Sequence, residues 1–137
     1  MKKHSNYKPE FLKLVHEQRT NKGETGMCML MAYSTLTQGV KELPVSVINQ
    51  NPNKIYAVHG KVSKAEGKRF WHAWIEINAG DKHTVFDPTT GIFDDKKHWY
   101  KLTHAKPEYR LTKPQYMKLV KKYGHTGEYT KEELQGN

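Results

Sequence analysis

Arg69-Phe70-Trp71-His72-Ala73-Trp74-Ile75-Glu76-Ile77, the turn residues Asn78-Ala79-Gly80-Asp81 and the return run Thr84-Val85-Phe86-Asp87 decide how this chain reads. Aromatic and β-branched residues fill both runs, and the residues between them favour a reversal, so the segment predicts an antiparallel hairpin. Strand alternation puts Phe70, His72, Trp74 and Glu76 on one face and Trp71, Ala73, Ile75 and Ile77 on the other, which reads as the core side. Two turn geometries fit. A two-residue loop at Ala79-Gly80 sets His72 directly across from Asp87, with Cβ atoms about 4.5 to 5.5 Å apart. A longer loop with Gly80 at a left-handed bulge position suits the poor turn propensity of Ala79 and shifts the register by one.

Upstream, Pro9 followed by Phe11, Leu14, Val15 and Gln18 predicts a helix that ends near Thr20. Asn21 to Glu24 reads as a loop. Thr25 then suits an N-cap, and Met27, Leu30, Met31, Tyr33 and Leu36 recur at helical spacing up to Gly39. Cys28 thereby falls in the first turn of this second helix. From Leu43 the residues become β-branched (Val45, Val47, Ile48) and predict a strand, followed by a turn at Asn51-Pro52-Asn53 and another strand over Ile55 to Val62. Beyond Gly91 the sequence reads as irregular and basic until Thr112-Lys113-Pro114-Gln115 opens a helix through Tyr116, Leu119 and Val120 to Gly124. The last dozen residues read as loosely held.

The 137 residues correspond to one domain, with a core expected over about 9–92 and a basic C-terminal extension over 93–137. A single cysteine excludes an internal disulfide and a cysteine-rich zinc site. Neither a signal-peptide pattern nor an apolar run of bilayer length occurs, which predicts a soluble, cytoplasmic protein. No glycine-rich phosphate loop is present, so no cofactor is expected. His59, His83, His98 and His104 lack metal-ligand spacing, so no metal is expected and they read as surface residues. The net charge of +9 points to an acidic partner or substrate. Lys96 to Lys122 carries nine cations and one acid, Glu108, interleaved with Trp99, Tyr100, Tyr109 and Tyr116. That composition fits a solvated basic surface, an acidic protein partner or single-stranded nucleic acid, although no nucleic-acid motif supports the last.

Alone, Cys28 amid Met27, Met29, Leu30 and Met31 reads as a small buried hydrophobe. A cysteine at a helix start is also where backbone N–H groups and the helix dipole favour a thiolate and can stabilise an oxyanion. A histidine oriented by a carboxylate, as the hairpin arranges for His72, keeps one nitrogen available to take a proton from such a thiol.

Gly26-Met27-Cys28 with Ala32, Leu36, Gly39-Val40 and Leu43-Pro44, then His72-Ala73-Trp74-Ile75-Glu76 and Asp87-Pro88-Thr89, resemble the motifs of the transglutaminase-like family, in the order Cys, His, Asp. The likeness runs from about Gly26 to Gly91. It implies an α+β fold with a papain-like core, N-terminal helices packed on an antiparallel β-sheet. It further implies Cys28 as nucleophile, His72 as base and later acid, and Asp87 as orienting carboxylate, acting on an amide or peptide bond of a protein or peptide substrate. For the family's additional oxyanion donor, Gln18 is the best chemical match, and it reads equally as a solvated helix residue. Trp74 is a candidate substrate contact. Trp71 stands where the family often has a small residue; it either narrows a substrate groove or is core. So short a chain favours a peptidase or amidase over a cross-linking enzyme. A binding module with an idle triad is the alternative.

Overall fold

The computed structural model describes residues 26–51, 54–63 and 69–135, and the expected first helix after Pro9, Gln18 and the Thr25 cap lie outside them. Helix α1 (Gly26–Gln38) leads through a two-residue ladder, β1 (Gly39–Val40) with β2 (Leu43–Pro44), into a short helix α2 (Val45–Gln50). The strand expected at Val45 to Ile48 is therefore a helix. Pro44, at φ −64° and ψ 150°, takes the N-cap position, and one helical turn buries Ile48 while leaving Val47 exposed. Tertiary packing of one side chain has overridden a β-branched local preference.

Five strands follow: β3 (Ile55–Ser63), β4 (Arg69–Ala79), β5 (Lys82–Asp87), β6 (Ile92–Asp95) and β7 (Lys106–Thr112). They form one antiparallel sheet in the order β6-β5-β4-β3-β7. The β4–β5 hairpin is present, but Ala79 pairs with Lys82, so Gly80 and Asp81 form the turn. Gly80, at φ +64°, occupies the first central position, where a II′ hairpin turn needs a positive φ that Ala79 would resist. Continuing this register sets Trp74, not His72, opposite Asp87.

Both faces of the sheet are covered. On one, Cys28, Met29, Ala32 and Leu36 of α1 pack with Ile55, Ala57, Ala73, Ile75, Phe86 and Leu111, joined by Tyr116 of helix α4 (Lys113–Tyr123). On the other, helix α3 (Lys96–Thr103) seals Val58, Val62, Phe70, Trp74, Val85 and Ile92 with Trp99. The alternation read from sequence holds, yet the face of His72 is as buried as the face of Ala73. Trp71 lies on the α1 side, partly buried against that core.

The chain beyond residue 92 is accordingly an integral part of the fold rather than an irregular extension. β6 and β7 are its two sheet edges, and α3 covers one face. Helix α4 begins where the sequence places it: Thr112 and Gln115 form a reciprocal capping box, and Gly124 ends the helix in the left-handed region. The residues read as loosely held include Tyr129, 5% exposed, and a capped turn of helix α5 (Lys131–Leu134). No helix among the described residues is long and apolar enough to cross a membrane.

Candidate active site

β5 pairs with β4 only from Ile75 onward, so toward Arg69 the two strands part. His72 sits in the length of β4 that pairs with β3 but not with β5, Asp87 ends β5, and Cys28 stands in the first turn of α1. All three are buried: Cys28 is 5% exposed, and His72 and Asp87 are fully enclosed.

His72 Nε2 lies 2.9 Å from Asp87 Oδ2. The other carboxylate oxygen accepts the Thr89 backbone N–H at 2.9 Å, an Asx turn that the Asp-Pro-Thr sequence encodes locally. Asp87 is thus fixed before it meets the ring. The Cys28 side chain also interacts with this imidazole and favours its charged form. Since Nε2 is committed to the carboxylate, Nδ1 is the nitrogen that can exchange a proton with sulfur. Burial alone would lower the pKa of His72. The Asp87 charge and hydrogen bond, together with those of Cys28, outweigh it and raise the ring to about 10.

Behind the ring, Trp74 and Trp99 stack at 6.2 and 6.5 Å between centroids and lie 4.9 Å from each other. Trp74, expected as a substrate contact, is fully buried and backs His72. Its indole N–H donates to Glu76 at 3.2 Å. Glu76 is itself buried and binds Arg110 Nε at 2.9 Å, Lys96 Nζ at 3.5 Å and the Tyr100 hydroxyl. Burial would raise its carboxyl, but the hydrogen bonds from Arg110, Tyr100 and Trp74, with the Arg110 charge, hold it below the usual range.

His59, expected at the surface, is fully buried on the α1 side. The Tyr129 backbone N–H donates to the Tyr109 hydroxyl at 2.8 Å, which leaves that hydroxyl to donate to His59 Nδ1 at 2.7 Å. Nε2 therefore carries the hydrogen and faces Tyr116 Oη at 2.9 Å. The Tyr116 hydroxyl in turn reaches the Thr126 carbonyl at 2.6 Å and the Met29 carbonyl, next to Cys28, at 3.1 Å. Burial first, then the charge of His72, pushes His59 down to about 3, so it is a neutral histidine close to a cationic one. Sequence reasoning missed it because its three tyrosine neighbours come from residues 50 or more positions away. The other three histidines expected at the surface differ from His59: His83 is exposed beside Asn78, His104 is exposed with a left-handed backbone, and His98, about one-third exposed, pairs with Asp94.

Among the described residues no group of three His, Cys, Asp or Glu is placed to hold a metal ion. Three surface cavities of about 320 to 420 Å³ are lined by other residues than Cys28, His72 and Asp87. The expected basic stretch is divided by the fold: Lys96 and Arg110 serve Glu76, while Lys118, Lys121 and Lys122 project from α4. Comparison of the chain with family models, with curated proteins and with solved structures finds no match.

Proposed function

We propose that the protein is a cysteine-dependent hydrolase or acyltransferase of papain-like, transglutaminase-like type, acting on an amide or peptide bond. The observation that carries this reading is the convergence of a cysteine and a carboxylate on one buried imidazole, with His72 Nε2 at 2.9 Å from Asp87. A thiol, an imidazole and a carboxylate, drawn from a helix start, a strand and a strand end, are the groups a thiol nucleophile would use.

In this reading the imidazolium of His72 holds on Nδ1 the proton that Cys28 has given up, and the sulfur, as thiolate, attacks the substrate carbonyl carbon. The Asp87 charge stabilises that imidazolium. Collapse of the tetrahedral adduct breaks the C–N bond, and the departing amine takes the proton from His72, leaving a thioester on Cys28. Water, giving a proton to His72 as it attacks, then releases a carboxylic acid and restores the thiolate–imidazolium pair; a second amine in place of water would give transamidation. Backbone N–H groups of the first turn of α1 are the candidate oxyanion donors.

Burial of all three side chains favours one competing reading, a binding module whose triad only supports the core. Turnover separates the two. A defined library of peptides containing carboxamide side chains, followed by mass spectrometry, should show loss of amide or peptide bonds with the wild type and none with Cys28→Ala. Equal conversion by both, or none by either across the library, contradicts the proposal.

A further inference from the structure

β7 is an edge strand, and its two halves differ. The first half carries devices that block another strand: Lys106, Pro107, and a bulge at Glu108 where pairing with β3 shifts between His59 and Gly60. The second half, Tyr109 to Thr112, is regular. A cavity of about 340 Å³ runs beside it, lined by Tyr109, Arg110 and Leu111 together with Lys118, Leu119 and Lys122 of α4. Alternate side chains of a strand point to opposite faces, so three consecutive residues line one cavity only where it follows the strand's edge.

The floor is apolar and the rim is cationic. Leu111 is buried and Leu119 half-buried, Leu134 of α5 adds a further apolar wall, and no acidic residue lines the cavity. Lys118 and Lys122 are exposed and stand one turn apart on the same helix face, so acidic side chains along the groove would meet two cations. Lys122 Nζ also lies 5.4 Å from the Tyr123 ring centroid, and the Arg110 guanidinium is held by Glu76. A strand edge supplies a row of N–H and C=O groups, which match a peptide backbone and not a nucleic acid.

We infer that the groove between β7 and α4 docks an extended acidic peptide, which adds as a short strand along Tyr109 to Thr112 while its acidic side chains meet Lys118 and Lys122 and its apolar ones fill the floor over Leu111 and Leu119. Binding here is independent of the thiol chemistry, and its test reads no turnover.

The probe is a fluorescent eight-residue peptide of alternating Glu and Val, titrated with the full-length protein and followed by anisotropy. Saturable binding is expected, weakening as salt rises because exposed charges are screened over about 8 to 10 Å. Lys118→Glu with Lys122→Glu should weaken it about tenfold or more, whereas Lys82→Glu at the distant β4–β5 turn should leave it unchanged. The same peptide N-methylated at alternate residues should lose binding, since its charges remain but its backbone donors are gone. Undiminished binding of the methylated peptide, or undiminished binding by a double variant that melts like wild type, overturns the inference. So does binding of oligothymidylate with none of the peptide.

Discussion

Two buried histidines close to one another are held in opposite protonation states, and this fixes how stability responds to acid. His59 is neutral in the folded protein, with its pKa pushed down to about 3, and returns to an ordinary value of 6.5 when the chain unfolds. Between those values the unfolded chain binds one more proton than the folded one, so stability falls as pH falls from 6.5, at about 1.4 kcal/mol per pH unit. The depressed carboxyls Glu76 and Glu133 begin to lose their contribution only below about 4.5. The interval from 6.5 to 4.5 therefore belongs to His59, and it should remove about 2 to 3 kcal/mol. Gln at this position cannot titrate yet keeps a donor and an acceptor for the tyrosine hydroxyls. Urea unfolding followed by tryptophan fluorescence at several pH values is the assay. Wild type should lose about 2 to 3 kcal/mol across the interval, and His59→Gln, though weaker at pH 6.5, less than about 1. If the variant kept the full wild-type slope, the assignment of a neutral buried His59 would be wrong.

Other outcomes follow from the same structure. His72 runs the other way: its folded pKa, about 10, stands above the unfolded 6.5, so its stabilisation is complete below 6.5 and is lost as pH rises through 10. Urea titrations from pH 7 to 10 should show this decline in wild type and a flattened one in Asp87→Asn, whose turnover should also drop about tenfold to ten-thousandfold with the fold retained. Gly60→Ala should lower stability by about 1 to 3 kcal/mol in a thermal melt, because a Cβ there would sit 2.3 Å from the Lys106 carbonyl oxygen and 2.9 Å from the Trp74 ring. Glu76→Gln should destabilise by about 1 to 3 kcal/mol in urea and alter the near-ultraviolet circular dichroism of Trp74, since it removes the buried charge shared by Arg110, Lys96 and the indole.

Much of the hairpin was legible because its information is local. Alternation in Arg69 to Ile77 placed His72 and Trp74 on one face, and Gly80 marked the reversal, although the turn lies one residue further on than a loop at Ala79-Gly80. His72 and Asp87 still meet, as diagonal neighbours rather than as a directly opposed pair, because both remain on one face. The capping box at Thr112 and Gln115 is local too, and it was readable. What could not be read depends on distant partners. Val45 to Gln50 looks like a strand until Ile48 has a core to enter, and Lys96 to Arg110 looks like solvated basic chain until Glu76, buried at the sheet centre, claims both ends of it. Trp74 carries the same lesson: its sequence neighbours made it a site residue, whereas Trp99, 25 positions on, makes it core.

Burial and activation predict opposite reactivities for Cys28, and one measurement separates them. Cys28 is the only cysteine, so the rate of iodoacetamide incorporation read by intact mass reports it alone. A thiol that is 5% exposed and merely structural must react more slowly in the folded protein than in 6 M guanidinium, whereas a nucleophile activated by His72 should react faster folded than unfolded and lose that advantage in His72→Ala. The faster folded rate is the expected result. A folded rate at or below the unfolded one, unchanged in His72→Ala, would contradict it.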